Sequence, residues 1–276
     1  LYVNSVGKII ETDEVSEAKA GNDVYLSIDA NLQKAAYDLL EEKIAGIVVA
    51  KMANVMNYDR SQLTDESDVI IPIDDVYNAF ISNEILDTGH FEDPDAKSTE
   101  QAVYQAYITR HEEVISEVLE QLGNPNAPAY KECSKEMQAY LSYVISDLLT
   151  TNAKILQTDK IDTKDKTYLA WEEDETISLY TYLNYAISQN WIDTSKLKEY
   201  MDEESSYSDL GETYQGLVNF IGKKLSTDSG FEKLIYKYMI KTGRITGTQI
   251  CLLLYEQEVL DYDETQYNNL VSGATG

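Results

Sequence analysis

The sequence lacks any apolar run near the roughly 20 residues that a membrane-spanning helix needs, and no cleavable leader opens it. It has two cysteines, Cys133 and Cys251, too few for a disulfide framework. Cys251 sits in Ile250-Cys251-Leu252-Leu253-Leu254 and reads as a buried thiol, while Cys133 lies in a polar stretch. Their pairing stays open at this level. There is no Cys-x-x-Cys, and the two histidines, His90 and His111, show no metal-binding spacing. Neither a phosphate loop nor a dinucleotide fingerprint occurs. Basic residues are few: 22 Lys and Arg stand against 49 Asp and Glu, a formal net charge of -27. Such a surface repels phosphate backbones and anionic headgroups, which excludes general nucleic-acid binding. It suits solubility, or a cationic partner. The four prolines and thirteen glycines act as punctuation, as at Gly123-Asn124-Pro125-Asn126-Ala127-Pro128.

Hydrophobic residues make up 43% of the 276, enough for a sizeable core. Tyrosine is the dominant aromatic, 22 residues against four Phe and two Trp, and it recurs at helical spacing. A tyrosine ring can face a core while its hydroxyl faces water, so packing is the expected use. Trp171 and Trp191 are expected in the core rather than on a sugar.

Residues 1–51 read as mixed α/β. Tyr2–Ile10 alternates enough for a strand, and Glu11 to Ala20 forms a charged linker. Val24-Tyr25-Leu26-Ser27-Ile28 reads as a second strand. Asp29 then caps a helix carrying Leu32, Ala36, Leu39 and Leu40. Gly46–Ala50 is predicted as a third strand. From about residue 70 the pattern is helical. Amphipathic stretches cover Glu100–Leu122, Lys135–Thr150, Ile177–Asn190, Glu212–Leu225, Phe231–Lys241 and Thr246–Glu258. Asp159–Asp165 and Asp202–Asp209 read as loops. The fold class expected is mainly α: a helical domain of repeated hairpins with a small N-terminal α/β segment.

The hairpins rest on an internal repeat. Ile71–Asp87 (IPIDDVYNAFISNEILD), Ile177–Asp193 (ISLYTYLNYAISQNWID) and Ile245–Asp261 (ITGTQICLLLYEQEVLD) align without a gap. Ile177 with Tyr182, and Ile245 with Ile250, fit hydrophobic staples around N-caps Ser178 and Thr246. Pro72 replaces the cap in the first copy, where Asp74 is the substitute. The closing Asp of each copy is expected to start a turn or cap the next helix.

Gly21-Asn22-Asp23-Val24-Tyr25-Leu26-Ser27-Ile28-Asp29-Ala30-Asn31-Leu32-Gln33 resembles the start of the transpeptidase domain of class B penicillin-binding proteins, which reads G-x-D-V-x-L-[ST]-I-D-x-x-L-Q. All fixed positions match in order and spacing. Asn4 and Gly7, ahead of the charged linker, resemble the chain leaving that family's non-catalytic pedestal. The resemblance covers roughly the first fifth of the chain. It departs after Gly46-Ile47-Val48-Val49, where the family proceeds to its serine helix and this chain enters Ala53-Asn54-Val55-Met56 and a long acidic region. The resemblance therefore implies pedestal strand and linker over 1–20, transpeptidase edge over 21–52, a helical insertion over 53–265 and a return segment over 266–276. The abrupt ends suit an excised piece.

The family's chemistry needs S-x-x-K, S-x-N and K-T-G, with the Lys amine one helical turn from the Ser hydroxyl. The chain has Ser5/Lys8, Ser16/Lys19 and Ser195/Lys198, Ser188-Gln189-Asn190, and Lys241-Thr242-Gly243. None is predicted to lie in the element required, so no catalytic, cofactor-binding or metal residue is assigned. Asp261-Tyr262-Asp263-Glu264-Thr265 starts like a calcium loop but has Gln266 where glycine belongs. What the resemblance implies is a non-catalytic piece of a peptidoglycan D,D-transpeptidase. Its parent would be held outside the plasma membrane by an N-terminal anchor, and the insertion would be a spacer or a docking surface for cell-wall synthesis proteins. A peptidoglycan-binding module is the alternative.

Overall fold

The computed structural model describes residues 29–53, 78–201 and 209–259, with short pieces at 2–3, 9–11, 61, 63, 65, 69–72 and 75. The chain is mainly helical. It divides into two compact units, Leu1–Ile44 and Ala45–Gly276.

In the first unit β1 (Tyr2–Val3) pairs antiparallel with β2 (Ile9–Glu11). The single strand expected over Tyr2–Ile10 is thus two strands. The residues between them, Asn4-Ser5-Val6-Gly7-Lys8, are rich in turn-forming types. The strand expected over Val24–Ile28 lies outside the described residues. Helix α1 (Ala30–Lys51) begins as expected. Asp29 Oδ1 accepts from the amides of Asn31 (2.8 Å) and Leu32 (3.2 Å). It does not stop before Gly46, however, so the strand expected over Gly46–Ala50 is helix instead. The β-branched run favours a strand only where a neighbour supplies hydrogen bonds, whereas a helix satisfies its backbone within the segment. The chain then forms β3 (Met52–Ala53), parallel to β4 (Ile71–Pro72).

The second unit is organised by α2 (Ser98–Gly123). Val103, Tyr107, Val114, Val118 and Leu122 are buried at three- and four-residue spacing. Around α2 pack α3 (Lys135–Tyr143, continuing as a π-helix through Asn152), α5 (Leu179–Ser188), α6 (Leu210–Leu225), α7 (Ser229–Lys241) and α8 (Gly247–Glu256). All six amphipathic stretches are therefore helices. A short α4 (Lys166–Glu172), capped by Asp165, follows the loop expected over Asp159–Asp165 and lies outside the six amphipathic stretches. Its one buried side chain, Trp171, leaves no periodicity to detect.

The repeat has a structural counterpart. Ser178 Oγ accepts from the Thr181 amide and Thr246 Oγ1 from the Gln249 amide, both at 3.2 Å. The Gln249 side chain accepts from the Thr246 amide in return, closing a capping box. At the other end Glu84, Asn190 and Glu258 occupy the same repeat position, and all three adopt the left-handed conformation, φ 59°, 57° and 57°. Each amide there donates to the carbonyl three residues back, Ile81, Ile187 or Tyr255. The first copy diverges at its start, with Ile71–Pro72 in β4 and a π-turn over Asn78–Ser82. Asp74 lies outside the described residues. Asp87 and Asp193 both cap short 3-10 turns, accepting from Gly89 and Ser195.

A fourth ending, unmarked in the sequence reading, follows α3. Lys154 (φ 51°) is followed by Ile155-Leu156-Gln157-Thr158-Asp159-Lys160-Ile161, matching Asn190-Trp191-Ile192-Asp193-Thr194-Ser195-Lys196-Leu197 position by position. From cap to left-handed residue the chain runs 178 to 190 and 246 to 258, but 134 to 154 here. The longer π-distorted helix defeats a gap-free alignment. These two endings join: Leu156 bridges Ile192, Gln157 N–H donates to the Trp191 carbonyl and Asp193 N–H to the Ile155 carbonyl, each at 2.8 Å. Equivalent positions of two copies thus face each other and close the hairpins together.

Candidate functional site

The motifs weighed for serine chemistry sit at helix ends. Ser195 Oγ donates to Asp193 Oδ1 at 2.6 Å in the 3-10 turn Thr194–Tyr200, and both Ser195 and Lys198 are exposed. Ser188 Oγ donates to the Tyr185 carbonyl at the close of α5, and Asn190 is the left-handed residue after it. Lys241-Thr242-Gly243 ends α7: Thr242 is its C-cap and Gly243 has φ 74°. Ser5/Lys8, Ser16/Lys19 and Asp261–Thr265 lie outside the described residues. Each described motif is engaged in its own turn or helix end.

Trp171 and Trp191 are buried. Trp171 stacks on Tyr182 at 5.3 Å and meets Tyr130 edge-on, and Trp191 meets Tyr185 edge-on at 5.5 Å. Tyr140, Tyr182 and Tyr236 are fully buried, so the tyrosines build core as the sequence reading expected. Both cysteines are free thiols; Cys251 is buried, and burial pushes its pKa up to about 11.

Two polar constellations organise α2. Arg110, in its middle, is buried and reaches Glu113 (3.0 Å), Glu117 (2.8 Å) and Glu136 of α3 (2.9 Å). Tyr140 O–H donates to the same Glu136 oxygen. Burial opposes the guanidinium charge, and the three carboxylates outweigh it, so its pKa lies above the ordinary value.

The second constellation lies at the start of α2. Glu100 is fully buried. Its carboxylate accepts from the Lys97 amide (2.6 Å) and from Gln257 Nε2 (2.7 Å), and lies 2.8 Å from His90 Nδ1. Gln257, just past α8, also accepts from the Asp87 amide and donates to its carbonyl. Glu256 accepts from Thr99 Oγ1 at 2.6 Å. The first and third repeat copies are thereby tied to one helix terminus. Burial disfavours the Glu100 charge, but these hydrogen bonds prevail and hold its pKa below the usual carboxylate value. His90 titrates above its ordinary value, chiefly through its hydrogen bond to Glu100. This group joins positions more than 150 residues apart, so no local pattern announces it.

The first unit presents a different surface. Leu32, Tyr37, Leu39 and Leu40 of α1 are 70%, 67%, 57% and 61% exposed. Leu32, Leu39 and Leu40 are among the apolar residues that the sequence places on this helix. Among the described residues no helix is long and apolar enough to cross a membrane.

Comparison of the chain with protein-family models, with curated proteins and with solved structures gives no match.

Proposed function

We propose that the chain is an extracytoplasmic part of a class B penicillin-binding protein: the leading edge of its transpeptidase domain followed by a helical insertion. The observation that carries this reading is the thirteen-residue match over Gly21–Gln33, whose Asp29 is the N-cap of α1. The exposed leucines and tyrosine of α1 support it, because a transpeptidase body would give that face something to pack against. The course of α1 through Gly46–Ala50 departs from the family's strand at that point.

In this reading the second unit does no bond-making chemistry. It is a compact acidic spacer and docking surface for other cell-wall synthesis proteins, on a membrane-anchored enzyme that cross-links peptidoglycan. The peptidoglycan-binding alternative would rest on tyrosines and acidic residues at the surface, since Trp171 and Trp191 are enclosed by the core. Labelling with a fluorescent penicillin tests the proposal. The full-length parent should become covalently labelled, and this 276-residue chain alone should stay dark. A dark parent, or a labelled serine within this chain, overturns it.

A further inference from the structure

The turn leading into α2 gathers metal-ligating side chains on one edge. Asp87 caps the 3-10 turn Thr88–Glu92, and Phe91, at 1% exposure, pins that turn to the core. Its neighbour His90 is left half-buried at the surface. The Asp93 amide donates to the His90 carbonyl (3.0 Å) and the Ala96 amide to the Asp93 carbonyl (3.1 Å), curling the chain about Pro94. As a result one ring nitrogen of His90, one oxygen of Asp93 and one of Asp95 lie within 4.8 Å of one another.

A separate feature aims the imidazole. Its Nδ1 is held by Glu100, a fully buried carboxylate fixed in turn by Lys97 N–H and Gln257. An ionised carboxylate only accepts, so the ring proton belongs on Nδ1 and the Nε2 lone pair of the neutral ring faces outward. Nε2 lies 3.8 Å from Asp95 Oδ1. A carboxylate behind a histidine whose other nitrogen is presented outward is the usual backing of a metal-bound imidazole. Among the described residues the Asp93 and Asp95 carboxylates engage no hydrogen-bond donor.

We propose that His90, Asp93 and Asp95 form a site for one zinc-class divalent cation, with Glu100 as the positioning residue behind His90. One nitrogen and two carboxylate oxygens suit Zn²⁺, Co²⁺ or Ni²⁺; Ca²⁺ takes more ligands, all oxygen. Ligand atoms about 2.1 Å from a tetrahedral ion sit roughly 3.4 Å apart, so closing on the ion needs about an ångström of side-chain movement. Asp95 has that freedom, with its side chain 85% exposed. The ion would close the turn His90–Asp95 on itself, while Glu100 ties that turn to the start of α2.

The test is titration of the metal-stripped chain with Zn²⁺ against a chromophoric chelator. One equivalent should bind, with affinity lowered at least tenfold by His90→Ala and by Asp95→Asn, and 10- to 100-fold by Glu100→Gln. Ca²⁺ in tenfold excess should not displace the Zn²⁺. Circular dichroism checks that each variant folds. Should the Glu100 variant fail that check, the exposed Asp95 decides the matter. Absence of one-equivalent binding, or the same affinity in the His90 and Asp95 variants as in the parent chain, overturns the site and leaves only diffuse attraction to an acidic surface. Displacement by Ca²⁺ overturns the role of the His90 nitrogen.

Discussion

Helices α1 and α2 are of similar length, 22 and 26 residues, and both carry apolar side chains at helical spacing. In α2 the stripe is sealed, with Val114, Val118 and Leu122 at 0% exposure; in α1 Leu32, Tyr37, Leu39 and Leu40 remain more than half exposed. The pattern alone therefore does not make a core. Burial requires partners, and α2 has five helices packed against it. What α1 displays is a face suited to an interface, and the class of that interface is the substance of the functional proposal.

The largest expected effect separates the two regions directly. Leu217→Ala in α6 empties a fully buried site and should cost about 3 kcal/mol. Leu39→Ala on α1 should change the same transition by less than about 0.5 kcal/mol. Both tryptophans lie in the second unit, so urea unfolding followed by their emission reports on that unit. Equal shifts for the two variants would erase the distinction.

A smaller effect is expected at Arg110. Arg110→Ala leaves Glu113, Glu117 and Glu136 facing one another without their shared cation. A loss of about 2 kcal/mol is expected, toward the low side for a broken buried pair because the glutamates keep some water. The triple variant Arg110→Ala, Glu117→Gln, Glu136→Gln should recover part of it in the same urea assay.

The smallest effect is one of pH. Asp165 caps α4 through the Thr167 and Tyr168 amides and accepts from Tyr185 O–H of α5 at 2.7 Å. Desolvation, the largest single influence, raises its pKa, but the three hydrogen bonds together prevail and lower it. A depressed folded value means that this stabilisation is complete above the ordinary carboxylate pKa of about 3.9 and fades as pH falls through the lowered value. The melting temperature between about pH 5 and pH 2 should therefore fall less steeply in Asp165→Asn than in the parent chain. Identical slopes would remove Asp165 from the acid response.

Several elements were legible beforehand because their signals are local. Ser178, Thr246 and Asp29 announce helix starts with a side-chain oxygen that reaches an amide two or three residues on. The repeat was legible where helix lengths agree and hidden at Lys154, where α3 runs on as a π-helix. Gly46–Ala50 misled because a β-branched run states a preference that only a neighbouring strand can fulfil. The cluster His90, Asp93, Asp95 and Glu100 carries no local signal, because its partners are carboxylates and carboxylates are abundant along the whole chain.

Sequence by itself determined the helical class, the places where helices begin, the acidic surface and the tyrosine-rich core, all consequences of side-chain chemistry over a few neighbouring residues. Only tertiary structure decided that Leu156 meets Ile192, that Gln257 closes on Asp87 and Glu100, and that α2 rather than α1 lies at the centre of a core. Those outcomes depend on groups brought together from distant parts of the chain, and their energies exist only once the intervening segments have folded.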